Sequence, residues 1–187
     1  MSAAGRGAVR APYDLYETPM ESIEAVLPHI YIPVNGTILE PTAGSGNVIR
    51  ALKNHYIPFG INEYHACEID EVHRASLEEL CHEVFIQDFL TFYPEDTYDL
   101  VIGNPPYHLA KECIEHALTL LSEGGILVFL LRLNFLESQK RKQFWKEHPV
   151  KQLYVLSKRP SFTGHGTDAT SYSWFVWGDV PTKIKVI

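Results

Sequence analysis

The chain has 187 residues, 45% of them hydrophobic and 21% charged, a composition that supports one sizeable core and excludes an intrinsically disordered protein. Its net charge of −7 excludes a chain that is basic throughout, and no apolar run reaches the roughly 18 residues of a membrane span. Three widely spaced cysteines without a Cys-x-x-Cys pair, and nine scattered histidines, argue against a disulfide framework or a metal site and for a reducing, cytoplasmic compartment.

Residues 1–11 hold two arginines among small residues and no apolar segment of the signal-peptide kind. A flexible tail is expected there, followed by a single domain over 12–187. Thr18 is placed to cap a helix that opens at Pro19 and runs through Ser22, Ile23, Val26 and Leu27. Thr37–Glu40 reads as a short apolar strand with a carboxylate at its end. The turn Pro41–Gly46, containing Gly44 and Gly46, then leads into helical spacing from Asn47 to Leu52. Strand, glycine-rich turn and helix is the layout of a nucleotide-binding βα unit. Neither a third glycine nor a Gly-Lys-Thr completes a phosphate loop, and Glu40 would repel a pyrophosphate while welcoming a cationic amine.

His65–Asp70 reads as a second strand ending in acids, with helix-forming residues from Glu71 to Leu80 behind it. Glu68, about 22 residues beyond Gly46, is placed to accept from ribose hydroxyls, while Asp70 also reads as a helix N-terminal carboxylate. Val84–Phe89 gives a third strand whose Asp88 is an acceptor for an amino group; Phe89 either packs on a ring or fills the core. Tyr98–Gly103 is a buried strand that stops at Asn104-Pro105-Pro106-Tyr107. Neither proline has an N–H to give and both have φ fixed near −65°, so the ladder ends in a stiff loop. Ligands of open α/β sheets bind at the carboxyl ends of strands. Asn104 offers an acceptor to an amino group and Tyr107 a face to stack on, although a rigid turn with Asn104 capping the next helix is an equal reading of this segment alone. Four successive strand ends thus present Glu40, Glu68, Asp88 and Asn104 to one cleft.

Beyond the motif, Cys113–Leu121 has amphipathic helical spacing and Gly124-Gly125 is expected to end that helix. Ile126–Leu133 reads as the fifth strand, Phe135–His148 as a basic helix, and Leu153–Leu156 and Ser171–Trp177 as the last strands. Residues 132–159 carry eight Lys or Arg against two Glu, a local charge of +6 that serves either a polyanion or a solvated helix face. In the loop from Arg159 to Gly166, Phe162 is either a stacking ring or a loop anchor, and His165 and Asp168 read as turn residues.

Together, Glu40-Pro41-Thr42-Ala43-Gly44-Ser45-Gly46, Glu68, Asp88 and Asn104-Pro105-Pro106-Tyr107 resemble the motif series of S-adenosylmethionine-dependent amino-methyltransferases, the branch that includes DNA N6-adenine methyltransferases. Tyr16, Thr18 and Pro19 resemble that branch's N-terminal cofactor motif. The resemblance covers residues 12–177 and implies a Rossmann-like α/β fold, a mostly parallel seven-stranded sheet with helices on both faces. It implies S-adenosyl-L-methionine as cofactor, with Pro41, Ala43, Gly44 and Gly46 under its methionine part, Glu40 near its ammonium and Thr18 near its carboxylate. It further implies Glu68 on the ribose, Ile69 and Phe89 against the adenine, and Asp88 on the adenine amine. Asn104 and the Pro105 carbonyl would accept from the target amine, with Pro106 stiffening the loop, Tyr107 stacking on the substrate base and Phe162 on its other side. The substrate implied is adenine in DNA, with RNA adenine, protein glutamine or an inactive cofactor-binding subunit as alternatives. No separate target-recognition domain fits in this chain, so sequence choice is expected from loops, a partner subunit or a homo-oligomer.

Overall fold

The computed structural model describes residues 17–55, 61–162 and 169–187. Eight strands form one sheet: β1 (Thr37–Glu40), β2 (Glu63–Glu68), β3 (Glu83–Ile86), β4 (Tyr98–Gly103), β5 (Leu121–Arg132), β6 (Gln152–Val155), β7 (Tyr172–Trp177) and β8 (Lys183–Val186). Their spatial order is β3-β2-β1-β4-β5-β7-β6-β8. The first five pair in parallel, β7 runs antiparallel to both β5 and β6, and β8 lies parallel to β6 at the edge. The sheet is therefore mixed and has one strand more than the seven expected. Strand order reverses between β1 and β4, and the carboxyl ends of strands at such a reversal open a crevice.

Apolar strands buried on both faces require two covering layers, and the alternation of side chains supplies them. Ile38, Ile102, Val128 and Trp174 face α1 (Met20–Glu24) and α2 (Asn47–Asn54), whereas Leu39, Val101, Phe129 and Phe175 face α4 (Ala110–Thr119) and α5 (Lys142–Glu147). The helix α3 (Arg74–Glu78) closes the first layer through Leu77. Trp174 Nε1 donates to the Ser22 carbonyl at 2.8 Å and Tyr154 Oη to the His29 carbonyl at 2.7 Å, which fastens the segment preceding β1 to the sheet.

Four local expectations are corrected. Pro19, not Thr18, precedes the first helical turn, without any side-chain cap; the buried Thr18 instead offers its carbonyl to Asn47 Nδ2 at 3.1 Å. The helix expected from Glu71 is a 3₁₀ turn over Glu71–His73 and then α3, with Asp70 capping the turn by accepting from Val72 N. Gly124 and Gly125 lie inside β5 where its register with β4 slips; a Cβ on Gly125 would meet the Tyr98 carbonyl at 2.7 Å, so only glycine permits that approach. The basic helix from Phe135 is broken into two 3₁₀ turns and α5, because Ser138 adopts φ 120° and interrupts the helical run.

Candidate active site

A cleft of about 420 Å³ opens at the carboxyl ends of β1, β2, β3 and β4, and Glu40, Gly44, Glu68, Ile69, Asp88 and Asn104 all line it. Thr18, Pro41, Ala43, Phe89 and Pro106 line it as well. All but Thr18, which lies just ahead of α1, come from the end of a strand or the segment after it, which is what a doubly wound sheet does with residues at that position.

The turn after β1 is held by its neighbours. Glu68 is 4% exposed; its Oε2 accepts from Gly44 N at 2.7 Å and its Oε1 from Asp70 N at 2.9 Å. One carboxylate thus ties the glycine turn to the end of β2 and keeps two of its four lone-pair sites. Glu40 is 3% exposed, and its Oε2 accepts from Ile49 N at 3.2 Å in the first turns of α2. Burial holds its carboxyl well above the usual carboxylate range, with the Ile49 and Val48 N–H groups pulling the other way and Glu68 adding to the rise. Gly103 and Pro41 bring the motif loop against the same turn, for a Cβ on Gly103 would sit 3.1 Å from Pro41 Cδ. Thr42 Oγ1 donates to the Asn104 carbonyl at 3.4 Å.

On the other wall Asp88 is exposed, and its Oδ1 accepts from Leu90 N at 3.0 Å. Ile69 is 46% exposed although apolar, a side chain left open on the cleft. Phe89 is 4% exposed, with its ring edge-on to His116 at 4.9 Å, so it serves the core while bordering the cleft. Cys113 of α4 also borders it; burial, Glu112 and Asp88 push its thiol up to about 12.

Pro19, Gly46, Pro105, Tyr107 and Phe162 are not part of this lining, and Tyr16 falls outside the described residues, as do His165 and Asp168. Gly46 has φ 86° at the start of α2, and a Cβ there would meet Leu80 Cδ1 at 2.8 Å, so this glycine answers to helix packing. Tyr107 carries the Arg132 guanidinium over its ring at 4.9 Å and has the Tyr172 ring 5.7 Å away; Phe162 meets Tyr172 edge-on at 5.1 Å. Burial raises the Tyr107 phenol well above its ordinary value. Sequence reasoning missed Thr42, Ser45, Asn47, Gln87, His108 and Leu109, which also line the cleft. Position relative to the motifs was the signal for each: Gln87 precedes Asp88, and His108 and Leu109 follow Tyr107.

The residues fit the cofactor that the motifs imply. A buried acid whose carboxyl is raised by burial suits an ammonium group, an exposed isoleucine suits an aromatic face, and the volume lies in the range of small-molecule sites. Among the described residues no cluster of His, Cys, Asp and Glu could hold a metal ion, and no helix is long and apolar enough to cross a membrane.

No protein-family model matches the chain. It is 29% identical over 123 residues to the type II methyltransferase M.TthHB8I of Thermus thermophilus, covering 65% of this chain and 26% of that protein. It is 30% identical over 113 residues to the type II methyltransferase M.CvrRI of Paramecium bursaria Chlorella virus XZ-6E, covering 57% and 28%. The match therefore spans little more than a quarter of either relative's length. Among solved structures, a Listeria monocytogenes protein described as a class I S-adenosylmethionine-dependent methyltransferase superposes with a TM-score of 0.67 at 17% identity, covering 97% of this chain and 67% of that one. The methyltransferase subunit of a type I restriction-modification system from Streptococcus thermophilus gives 0.66 at 15% identity, covering 91% and 47%. A SAM-dependent O-methyltransferase of Thermotoga maritima gives 0.58 at 18%, covering 85% and 64%. The chain has the α/β fold of S-adenosylmethionine-dependent methyltransferases and resembles type II methyltransferases in sequence.

Proposed function

We propose that this chain transfers a methyl group from S-adenosyl-L-methionine to the exocyclic N6 amine of adenine in DNA. The observation that carries the reading is the gathering of Glu40, Glu68, Ile69, Asp88 and Asn104 from four strand ends into one cleft. The likeness to two type II methyltransferases supports a DNA substrate.

In this reading Glu40 faces the donor's ammonium, Glu68 uses its remaining lone pairs on the ribose, Ile69 covers the adenine and Asp88 accepts from its amino group. Bound there, the donor supplies an electrophilic methyl group on a sulfonium. An aromatic amine is a poor nucleophile because its lone pair is delocalised into the ring. The Asn104 side-chain oxygen and the Pro105 carbonyl each accept one amine proton, which favours a pyramidal nitrogen with a localised lone pair. Positive charge grows on that nitrogen during attack, so both hydrogen bonds strengthen in the transition state. Pro105 and Pro106 hold the acceptors in place, since neither residue has φ free to vary. Tyr107 gives the base a stacking surface worth about 1–3 kcal/mol, and a base in a duplex must leave the stack to reach it. With the match confined to little more than a quarter of the relatives' length, target choice falls to a partner subunit, a second copy or additional chain.

The test is a labelled-methyl assay across double-stranded DNA, single-stranded DNA, RNA and protein extract, followed by nucleoside analysis. Label in N6-methyladenine of DNA is the expected result. Label in RNA or in protein alone overturns the DNA assignment, and cofactor binding without any transfer overturns the enzymatic one.

A further inference from the structure

Tyr107 belongs to a second cleft, of about 490 Å³, whose lining includes Arg132, Asn134, Glu137, Ser138 and Arg141. Asn104 and Pro106 line the first cleft, so the motif loop borders both. In the second cleft each arginine is set over a ring, Arg132 over Tyr107 at 4.9 Å and Arg141 over Phe135 at 4.5 Å. Arg132 Nε also donates to Tyr172 Oη at 3.2 Å. Arg141 Nη2 donates to the Glu137 carbonyl at 2.7 Å and the Asn134 carbonyl at 3.3 Å, which fixes the plane of its guanidinium. Its Nε is buried and has no hydrogen-bond acceptor among the described residues. A buried charged donor without an acceptor is a group that an incoming anion satisfies. Between residues 132 and 142 stand four cations against one acid, Glu137. Ser138, at φ 120°, places a non-glycine residue in a costly conformation on the same wall, and such strain collects at ligand clamps.

We infer that the second cleft seats the phosphodiester backbone of the nucleic acid whose target base stacks on Tyr107, with Arg141 as a phosphate ligand. This rests on the DNA reading above and adds to it the surface that holds the strand. A ring for the base beside a fixed guanidinium for the phosphate is the pairing that a nucleotide presents.

The experiment measures fluorescence anisotropy of a labelled DNA duplex, the corresponding single strand and an RNA of the same sequence across a salt series, with S-adenosylmethionine affinity and melting temperature recorded alongside. Arg141→Gln is expected to weaken DNA binding about tenfold and to reduce the salt slope by about 1, leaving cofactor affinity unchanged. Arg141 also latches two carbonyls, so Asn134→Asp, which adds an anion to the cleft and keeps both latched backbone carbonyls, serves as the second variant and is expected to weaken binding several-fold at an unchanged melting temperature. Wild-type DNA affinity and salt slope in both variants, with the wild type still methylating DNA, would sink the cleft assignment and leave the function standing. A wild-type chain that binds no polynucleotide and methylates protein instead would sink the DNA reading itself, and the cleft with it. RNA held more tightly than DNA, with the same loss on Arg141→Gln, supports the cleft and moves the substrate to RNA.

Discussion

Replacing Glu68 by Gln separates the fold's use of this side chain from its proposed use on the ribose. The carboxylate is 4% exposed and accepts from Gly44 N at 2.7 Å and Asp70 N at 2.9 Å. Gln keeps the shape but retains one acceptor, so one of the two N–H groups must face an NH₂ while the other exchanges a charge-assisted bond for a neutral one. A hydrogen bond to a charged group contributes about 1.5–3 kcal/mol, and the weakening of its partner adds about 1, so the variant loses about 3 kcal/mol. At about 2–4 °C per kcal/mol for a chain of this size, its melting temperature falls by about 6–12 °C. Differential scanning fluorimetry reads this directly. Repeating it with S-adenosylmethionine reads the second role: a ligand at 100 times its Kd stabilises by about 2.7 kcal/mol, and a variant that has lost a ribose contact shows much less at the same concentration. Melting within about 2 °C of wild type would refute the claim that Glu68 holds the glycine turn. A lowered melting temperature with the full cofactor shift would retain the structural role and refute the ribose one.

Asn104→Ala should bind cofactor normally and lose about 10²–10³ in methyl transfer, the usual cost of removing one preorganised transition-state partner; transfer at the wild-type rate in the labelled assay would refute its role as acceptor. Glu40 yields a pH prediction. Its carboxyl is raised in the free protein, so folding stability falls as pH rises from the ordinary carboxylate range towards the raised value, and Glu40→Gln should flatten that fall in pH-dependent melting curves. A cation bound beside Glu40 favours its ionised form, so below that raised value cofactor binding should release a proton and tighten with pH; calorimetry in buffers of different ionisation enthalpy measures the proton.

The gathering of strand ends into one cleft was legible in the sequence where several local elements were not, for physical reasons. Glu40, Glu68, Asp88 and Asn104 each follow a short apolar run, and a polar residue that ends such a run in a parallel sheet has one place to go, so their common cleft follows from pattern alone. Thr18 misled because a threonine before a proline scores as a cap locally, while the tertiary structure buries it beside Asn47. The break at Ser138 had no signal, for a serine announces no positive φ. Lys183–Val186 did alternate, but all four residues are exposed, and without an apolar face to bury the segment carried too little pattern to register as an eighth strand. The residues on the opposite wall, Gln87, His108 and Cys113, were not read because nothing in their own chemistry marks them; proximity to a motif is their only sign.

The sulfur of Cys113 gains a meaning from where it sits. A sulfonium methyl donor is an alkylating agent, and thiolate is the nucleophile it would find most readily in a protein. Burial keeps Cys113, on the wall of the cleft, and Cys67 as thiols until about pH 12, so at neutral pH the nucleophilic form is withheld from both. The enclosure thereby spares the protein from alkylation by the proposed donor, and its intact mass should stay constant through prolonged incubation with S-adenosylmethionine at pH 7, whereas steady mass gain at either cysteine would show that the shielding fails.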